Sequence, residues 1–144
     1  MKYIVVSKIK YNIDEFLVLD PDKERDLIQE IKKASPRILV TDNLAGFDRS
    51  TLTDNIAYNL LGGIQIHFLE HEMLWEEKFL MKPLSLSMFF FCNEDCYDYY
   101  HSKFPELPYI SKVPAEYFKN NYSAEEQMKR RLDLAIKEVI KQYC

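Results

Sequence analysis

The stretch LSMFFF at residues 86–91 decides the fold of this chain. It ends in four consecutive apolar side chains, so both faces of an extended strand would be apolar there. Such a strand is typical of the middle of a parallel sheet that helices cover on both sides. Taken as a strand over 85–91, the stretch predicts an α/β protein with a central parallel sheet.

Two other short apolar runs have the same relation to the residues that follow them. Residues 37–40 (RILV) and 64–69 (IQIHFL) are each followed by a polar cluster, as 86–91 is. The clusters are TDN at 41–43, EHE at 70–72 and CNED at 92–95. If the three runs are neighbouring parallel strands, the clusters lie along the carboxyl edge of one sheet, where open α/β folds bind their ligands.

Helix-capping residues and apolar periodicity mark the segments between these strands. Asp20 can cap the free backbone N–H groups of a helix, and Pro21 loses no hydrogen bond at the first helical position. Ser123 and Glu126 fit a capping box, in which each side chain accepts from the backbone N–H of the other residue. The predicted strands are 2–9, 13–19, 37–41, 64–69, 85–91 and 109–112, and the predicted helices lie near 22–34, 50–61, 94–103 and 123–142.

This alternation of strands and helices with short connections predicts one Rossmann-like domain over residues 1–144, a three-layer sandwich with a mostly parallel sheet. One alternative stays open: the segment 13–19 is an antiparallel partner of the first strand, which makes the sheet mixed. The predicted core consists of Ile4, Val6, Leu27, Ile31, Leu39, Ile56, Leu60, Ile66, Phe68, Met88, Phe90, Leu132, Ile136 and Val139.

The composition disfavours several classes of partner. A formal net charge of −4 and scattered basic residues argue against nucleic-acid binding, and the tightest basic cluster, 129–131, is expected on a solvated helix face. No stretch approaches the roughly 18 apolar residues of a membrane helix, so no membrane partner is expected. Three cysteines are few and odd in number, which disfavours a disulfide framework and favours a cytoplasmic location.

The short motifs of several enzyme classes are missing. The chain has no G-x-G-x-x-G after a strand and no G-x-x-x-x-G-K-[ST], which disfavours an ordinary dinucleotide dehydrogenase and a P-loop hydrolase. It also has no G-x-S-x-G, the nucleophile turn of serine hydrolases. With only three glycines, the chain has few positions at which its backbone can approach a phosphate closely.

Two arrangements of His and Cys suggest a metal-binding site, and neither has the secondary structure or the ligand spacing that such a site requires. HFLEH at 67–71 fits the H-x-x-E-H pattern, which brings both imidazoles to one metal only on a helix, whereas the alternation in 64–69 predicts a strand. The spacing of Cys92, Cys96 and His101 matches no standard zinc site. A role beyond structure is left open for His67, His71, Cys92 and Cys96.

The predicted site residues stand at the ends of the three apolar runs. His71 is predicted to transfer protons because an ordinary histidine titrates near neutrality, and Asp42 is predicted to act beside it as a general base. Asn43, Glu70 and Asn93 are predicted to bind the ligand. The sequence assigns neither a cofactor nor a metal ion to these residues.

We therefore expect a domain that binds a small molecule, a nucleotide or nucleotide sugar, at the carboxyl edge of the sheet, with a transferase reaction left open. A first alternative is a protein-interaction subunit that uses the aromatic carboxy-terminal third and the 123–142 helix, through which a homo-oligomer would form. A second is a metal-assisted hydrolase or transferase that uses His71 and nearby carboxylates.

Overall fold

The computed structural model of the chain describes residues 3–20, 27–34, 37–42, 64–72, 88–103, 105, 110–119 and 122–143. Six strands within these ranges form one sheet in which every neighbouring pair is parallel. They are β1 (Tyr3–Val6), β2 (Phe16–Leu19), β3 (Ile38–Asp42), β4 (Ile64–Leu69), β5 (Met88–Asn93) and β6 (Ile110–Val113). The helices are α1 (Leu27–Ala34), α2 (Tyr97–Lys103) and α3 (Ala124–Tyr143), with 3₁₀ helices at Glu94–Cys96 and Ala115–Phe118.

The α/β, Rossmann-like fold predicted from the sequence is confirmed, and the antiparallel edge strand is not. β2 pairs with β1 in parallel, with Tyr3 opposite Phe16 and Val6 opposite Leu19. An antiparallel partner would follow from a tight hairpin. The connection over 7–15 instead lies across one face of the sheet, where it packs Tyr11 and Ile13 into the core and brings the chain back in the same direction.

The observed elements shift some predicted boundaries. The strand predicted at 37–41 extends to Asp42, and the segment predicted as helix 94–103 begins with a 3₁₀ turn. The closing helix, predicted at 123–142, is α3. The predicted helix at 50–61 lies outside the described residues, as do positions 21–26 and 85–87.

Helices and connections cover both faces of the sheet. One face packs against α1 and α2, and the other packs against the 7–15 connection, the second 3₁₀ helix and α3. The inner stripe of α3 consists of side chains at helical spacing, Met128, Leu132, Ala135 and Val139. The predicted core residues Ile4, Val6, Ile31, Leu39, Ile66, Phe68, Phe90, Leu132 and Val139 are buried and Ile136 is partly buried, while the side chains of Leu27, Ile56, Leu60 and Met88 are not described.

The strand order β2-β1-β3-β4-β5-β6 contains one reversal of direction. From β1 the chain moves to one side to form β2, and then returns past β1 to form β3 on its other side. The carboxyl ends of β1 and β3 therefore meet at a topological switch point, the usual place for a ligand crevice in an open α/β sheet. The register pairs Val6 with Thr41, so Ser7 and Asp42 follow side by side at that point.

Candidate functional site

Asp42, the last residue of β3, is the centre of a polar cluster at the switch point. Ser7 Oγ and Tyr11 OH donate to its Oδ2 over 3.0 Å and 2.9 Å. Arg131 Nη2 donates to its Oδ1 over 3.1 Å and forms an ion pair with it. We call Ser7, Tyr11, Asp42 and Arg131 the switch-point cluster. Its members come from the end of β1, the 7–15 connection, the end of β3 and α3.

The Arg131 side chain is buried and contacts both polar and aromatic groups. Its side chain is 5% exposed, against 18% for Asp42. Nη1 donates to the carbonyl oxygen of Tyr117 over 2.8 Å, and Nε has no hydrogen-bond partner within the described ranges. The guanidinium carbon lies 5.2 Å from the ring centre of Phe68 and 4.8 Å from that of Phe118, which is cation–π geometry. These contacts fix the guanidinium, and through it the orientation of the Asp42 carboxylate.

The two hydroxyl groups of the cluster point their protons at Asp42. Burial, followed by the negative charge of Asp42, raises the pKa of Tyr11 above its usual range, so its hydroxyl stays protonated at physiological pH. Ser7 Oγ also accepts from the backbone N–H of Ile9 over 3.1 Å, which orients its proton toward the carboxylate. Both side chains are buried, and we infer that they hold the carboxylate in one orientation.

The described residues leave Asp42 one acceptor position. A carboxylate has about four lone-pair sites, and the described donors use two on Oδ2 and one on Oδ1. The remaining site is on Oδ1, on a side chain that is partly open to solvent. The switch-point cluster is therefore able to accept a hydrogen bond from a bound hydroxyl or amine.

The ends of β4 and β5 form a second region, held together by capping contacts. Asn93 Oδ1 accepts from the backbone N–H of Asp95 over 3.0 Å, and Asn93 Nδ2 lies 3.5 Å from the carbonyl oxygen of Glu70. The hydroxyl of Tyr100 donates to the carbonyl oxygen of His71. Asn93, predicted to bind the ligand, is buried and caps the first 3₁₀ helix while it fixes the end of β4.

The predicted site residues thus take part in two different sets of contacts. Glu70, His71 and Asn93 meet at the ends of β4 and β5, where the His71 side chain is 74% exposed and its Nε2 lies 3.7 Å from Glu70 Oε2. Asp42 instead belongs to the switch-point cluster, and the side chains that hold it are not those predicted beside it. Asn43 lies outside the described residues.

Sequence reasoning missed Ser7, Tyr11 and Arg131, and its placement of the 129–131 cluster on a solvated face is wrong for Arg131. Arg131 is buried because it lies three residues after Met128 and four before Ala135, on the inner stripe of α3. A cation within an apolar stripe was the available signal, since a buried charge needs a partner. Only the fold identifies that partner as Asp42.

The HFLEH pattern lies on a strand and the turn after it, as its alternation predicted. His67 is buried within β4, whereas His71 is exposed beyond its end, so the two imidazoles are not presented together as a helix would present them. The described residues contain no group of three or more His, Cys, Asp or Glu side chains arranged to hold a metal ion.

Cys92 and Cys96 are free thiols buried under the carboxyl ends of β4 and β5. Burial raises the pKa of Cys96 to about 11 and also raises that of Cys92, so both are protonated near neutrality. Cys96 Sγ lies 3.4 Å from the carbonyl oxygen of Asn93 and 3.5 Å from that of Glu70. Their surroundings are those of packing residues.

No protein-family model matches the chain, and neither a curated protein nor a solved structure is significantly similar to it. None of the helices in the described ranges has the length and apolar character that crossing a membrane requires. A function for this chain therefore has to follow from the geometry and chemistry of its side chains, because a fold alone does not imply a function.

Proposed function

We propose that this chain is a small-ligand-binding domain that takes a nucleotide or nucleotide sugar at the carboxyl edge of its sheet. The observation that supports the proposal is the position of Asp42, a partly exposed carboxylate at the β1–β3 switch point. Open α/β sheets bind ligands where successive connections leave to opposite faces, and the strand order has its reversal at this point.

The preorganisation of Asp42 also supports a binding role. Ser7, Tyr11 and Arg131 donate to it from segments that are far apart in sequence, at separations of 35, 31 and 89 residues. A carboxylate held in this way needs little reordering when a ligand binds, and preorganisation of this kind favours affinity. Stability alone requires neither a free acceptor position nor partial exposure of the carboxylate.

A thermal-melting screen tests the proposal. The parent protein is melted with ribonucleotides and nucleotide sugars, each at saturating concentration. A ligand at 100 times its Kd stabilises the native state by about 2.7 kcal/mol, which raises the Tm by several degrees. The proposal fails if no member of these classes raises the Tm.

A pair of variants then locates the site. Asp42→Asn removes the charge of the switch-point carboxylate, and Asp133→Asn makes the same change in an exposed ion pair of α3, with Lys137. We expect Asp42→Asn to abolish most of the ligand-dependent Tm shift, while Asp133→Asn keeps the shift of the parent. Equal shifts in both variants would place the ligand elsewhere on the chain.

The proposal extends to catalysis by a transferase reaction, in which His71 would transfer the proton. The exposure of its imidazole and its neighbour Glu70 support this role. Once a ligand is identified, His71→Ala is expected to lower the turnover rate with little change in binding. His101→Ala, at another exposed histidine, is the control. Unchanged turnover in His71→Ala would remove the assignment.

A further inference from the structure

The switch-point cluster carries no uncompensated positive charge. Its only cation, Arg131, is paired with Asp42 and almost fully buried, so the two charges cancel. Sites that bind phosphate use free cations, helix N-termini or glycine-rich backbone. Arg131 would have to leave both Asp42 and the carbonyl oxygen of Tyr117 before its Nη atoms could turn to a phosphate.

The hydroxyl protons of the cluster also point inward. Ser7 and Tyr11 both donate to Asp42 Oδ2, so the position that the described residues leave for a ligand is an acceptor, on Oδ1 of the partly exposed Asp42. A ligand group that fits acceptors beside a carboxylate is itself a donor. In a nucleotide, the donors of this kind are the ribose hydroxyls and the exocyclic amines of some bases, and the ribose hydroxyls are the ones that all ribonucleotides share.

Resting on the function proposed above, we propose that the Asp42 carboxylate accepts a hydrogen bond from a ribose hydroxyl of a nucleotide, and that Arg131 is the positioning residue that holds this carboxylate. The phosphates lie away from Arg131. The cluster is a sugar subsite in which Ser7 and Tyr11 complete the orientation of the acceptor oxygens.

The test compares ligands that differ only in the groups concerned. The probes are the ribonucleoside diphosphates, their 2′,3′-dideoxy counterparts and inorganic pyrophosphate, with binding measured by titration calorimetry and thermal melting. We expect the dideoxy compounds to bind roughly 10- to 100-fold more weakly, because they lack the hydroxyl that donates to a charged acceptor. Pyrophosphate is expected to leave the Tm unchanged at concentrations where the ribonucleotide raises it.

Variants separate a positioning role from a merely structural one. Arg131→Lys and Tyr11→Phe are expected to lower the ratio of ribonucleotide to dideoxynucleotide affinity, a quantity that a general loss of stability does not change. Arg130→Lys is the matched control, because Arg130 is exposed and pairs with Glu126. Tyr11→Phe removes one hydroxyl and keeps the ring, so it remains informative if Arg131→Lys does not fold.

Each outcome decides the inference. If ribonucleotides and dideoxynucleotides bind equally, the sugar subsite is wrong while the proposed function stands. If pyrophosphate binds and Arg131→Lys abolishes its binding, Arg131 is a phosphate receptor and the inference is overturned. If Arg131→Lys or Tyr11→Phe folds and keeps the parent's ratio of ribonucleotide to dideoxynucleotide affinity, the proposed positioning role of that residue is wrong. If no nucleotide binds, both the inference and the proposed function fall.

Discussion

His67 places its imidazole in the core with both ring nitrogens engaged. Its Nδ1 lies 2.7 Å from Thr41 Oγ1, and its Nε2 lies 3.1 Å from Gln65 Oε1. Because the amide oxygen of Gln65 only accepts, Nε2 carries the ring proton and Thr41 donates to Nδ1. Burial lowers the pKa of His67 to about 3, so the neutral ring is the form compatible with the fold.

This burial predicts a pH dependence of stability. Between the ordinary histidine pKa of 6.5 and the folded value of about 3, the unfolded chain binds a proton at His67 that the folded chain does not. The contribution of neutral His67 is therefore complete above pH 6.5, and we expect it to decrease by up to roughly 1.4 kcal/mol per unit as the pH falls. Urea unfolding of the parent and of His67→Gln from pH 7 to pH 4.5 measures the difference.

The contrasting control is His101→Gln. His101 is exposed and stacks on Tyr97, so its replacement is expected to leave the pH dependence of the parent intact. A His67→Gln variant with the same slope as the parent would contradict the buried, neutral state of His67.

Arg131 provides a second prediction for a single residue. Arg131→Ala leaves Asp42 without its counter-charge and removes the guanidinium from between Phe68 and Phe118. We expect a loss of about 3 kcal/mol in the free energy of unfolding, measured by urea denaturation. Arg130→Ala, at an exposed pair, is expected to lose less than about 1 kcal/mol. Similar losses in the two variants would show that the buried pair contributes no more to the free energy of unfolding than an exposed pair does.

Among the elements, α3 affects both stability and the switch-point cluster, because Arg131 lies on this helix. Its start confirms part of the predicted capping box, because the backbone N–H of Glu126 donates to Ser123 Oγ over 3.2 Å. The Glu126 carboxylate lies 3.2 Å from Arg130 Nε. The backbone N–H of Asn12 donates to Glu125 over 3.1 Å, which holds the first turn of α3 against the 7–15 connection.

Ser123→Ala is expected to destabilise the protein by about 1 kcal/mol, because a backbone N–H of α3 loses its capping acceptor. Ser102→Ala, at an exposed position in α2, should change the free energy of unfolding by much less. Thermal or urea unfolding of both variants measures the effect. A Ser123→Ala variant as stable as the parent would mean that solvent caps the helix equally well.

Over the whole molecule, local sequence patterns predicted the strands and helices but could not predict the contacts of the switch-point cluster. The alternation in 64–69 and the apolar run at 86–91 are properties of neighbouring residues, so β4 and β5 follow from sequence. The contacts of Asp42 span 31 to 89 residues and depend on strand order. Asp42 itself was found because the end of an apolar run is visible in the sequence, whereas its partners are not.

The direction of β2 was left open by the sequence for a related reason. The predicted strands 2–9 and 13–19 leave three residues between them, which suits a hairpin, whereas the observed connection over 7–15 has nine residues. The packing of Tyr11 against the sheet, a tertiary contact, decided the direction of β2. α3 also uses its inner stripe against its own sheet, so a second copy that docks along 123–142 would have to contact its other face.

The burial of two thiols gives a prediction for the intact chain. Cys92 and Cys96 are enclosed and protonated, and the third cysteine, Cys144, lies outside the described residues. We expect a thiol reagent at pH 7.5 to modify neither Cys92 nor Cys96 rapidly in the native protein, and to modify all three cysteines in guanidinium. Rapid reaction of the native Cys144→Ser variant would contradict the enclosed state.

The pair between Asp42 and Arg131 joins positions 89 residues apart, which has a consequence for synthesis on the ribosome. All six described strands are translated before Arg131, so Asp42 has to wait for α3 before it can form this ion pair. A nascent chain that contains Asp42 and has not yet reached Arg131 therefore lacks the cation that pairs with this carboxylate in the folded protein. The contacts of the switch-point cluster are therefore completed only when α3 docks, after all six described strands have been translated.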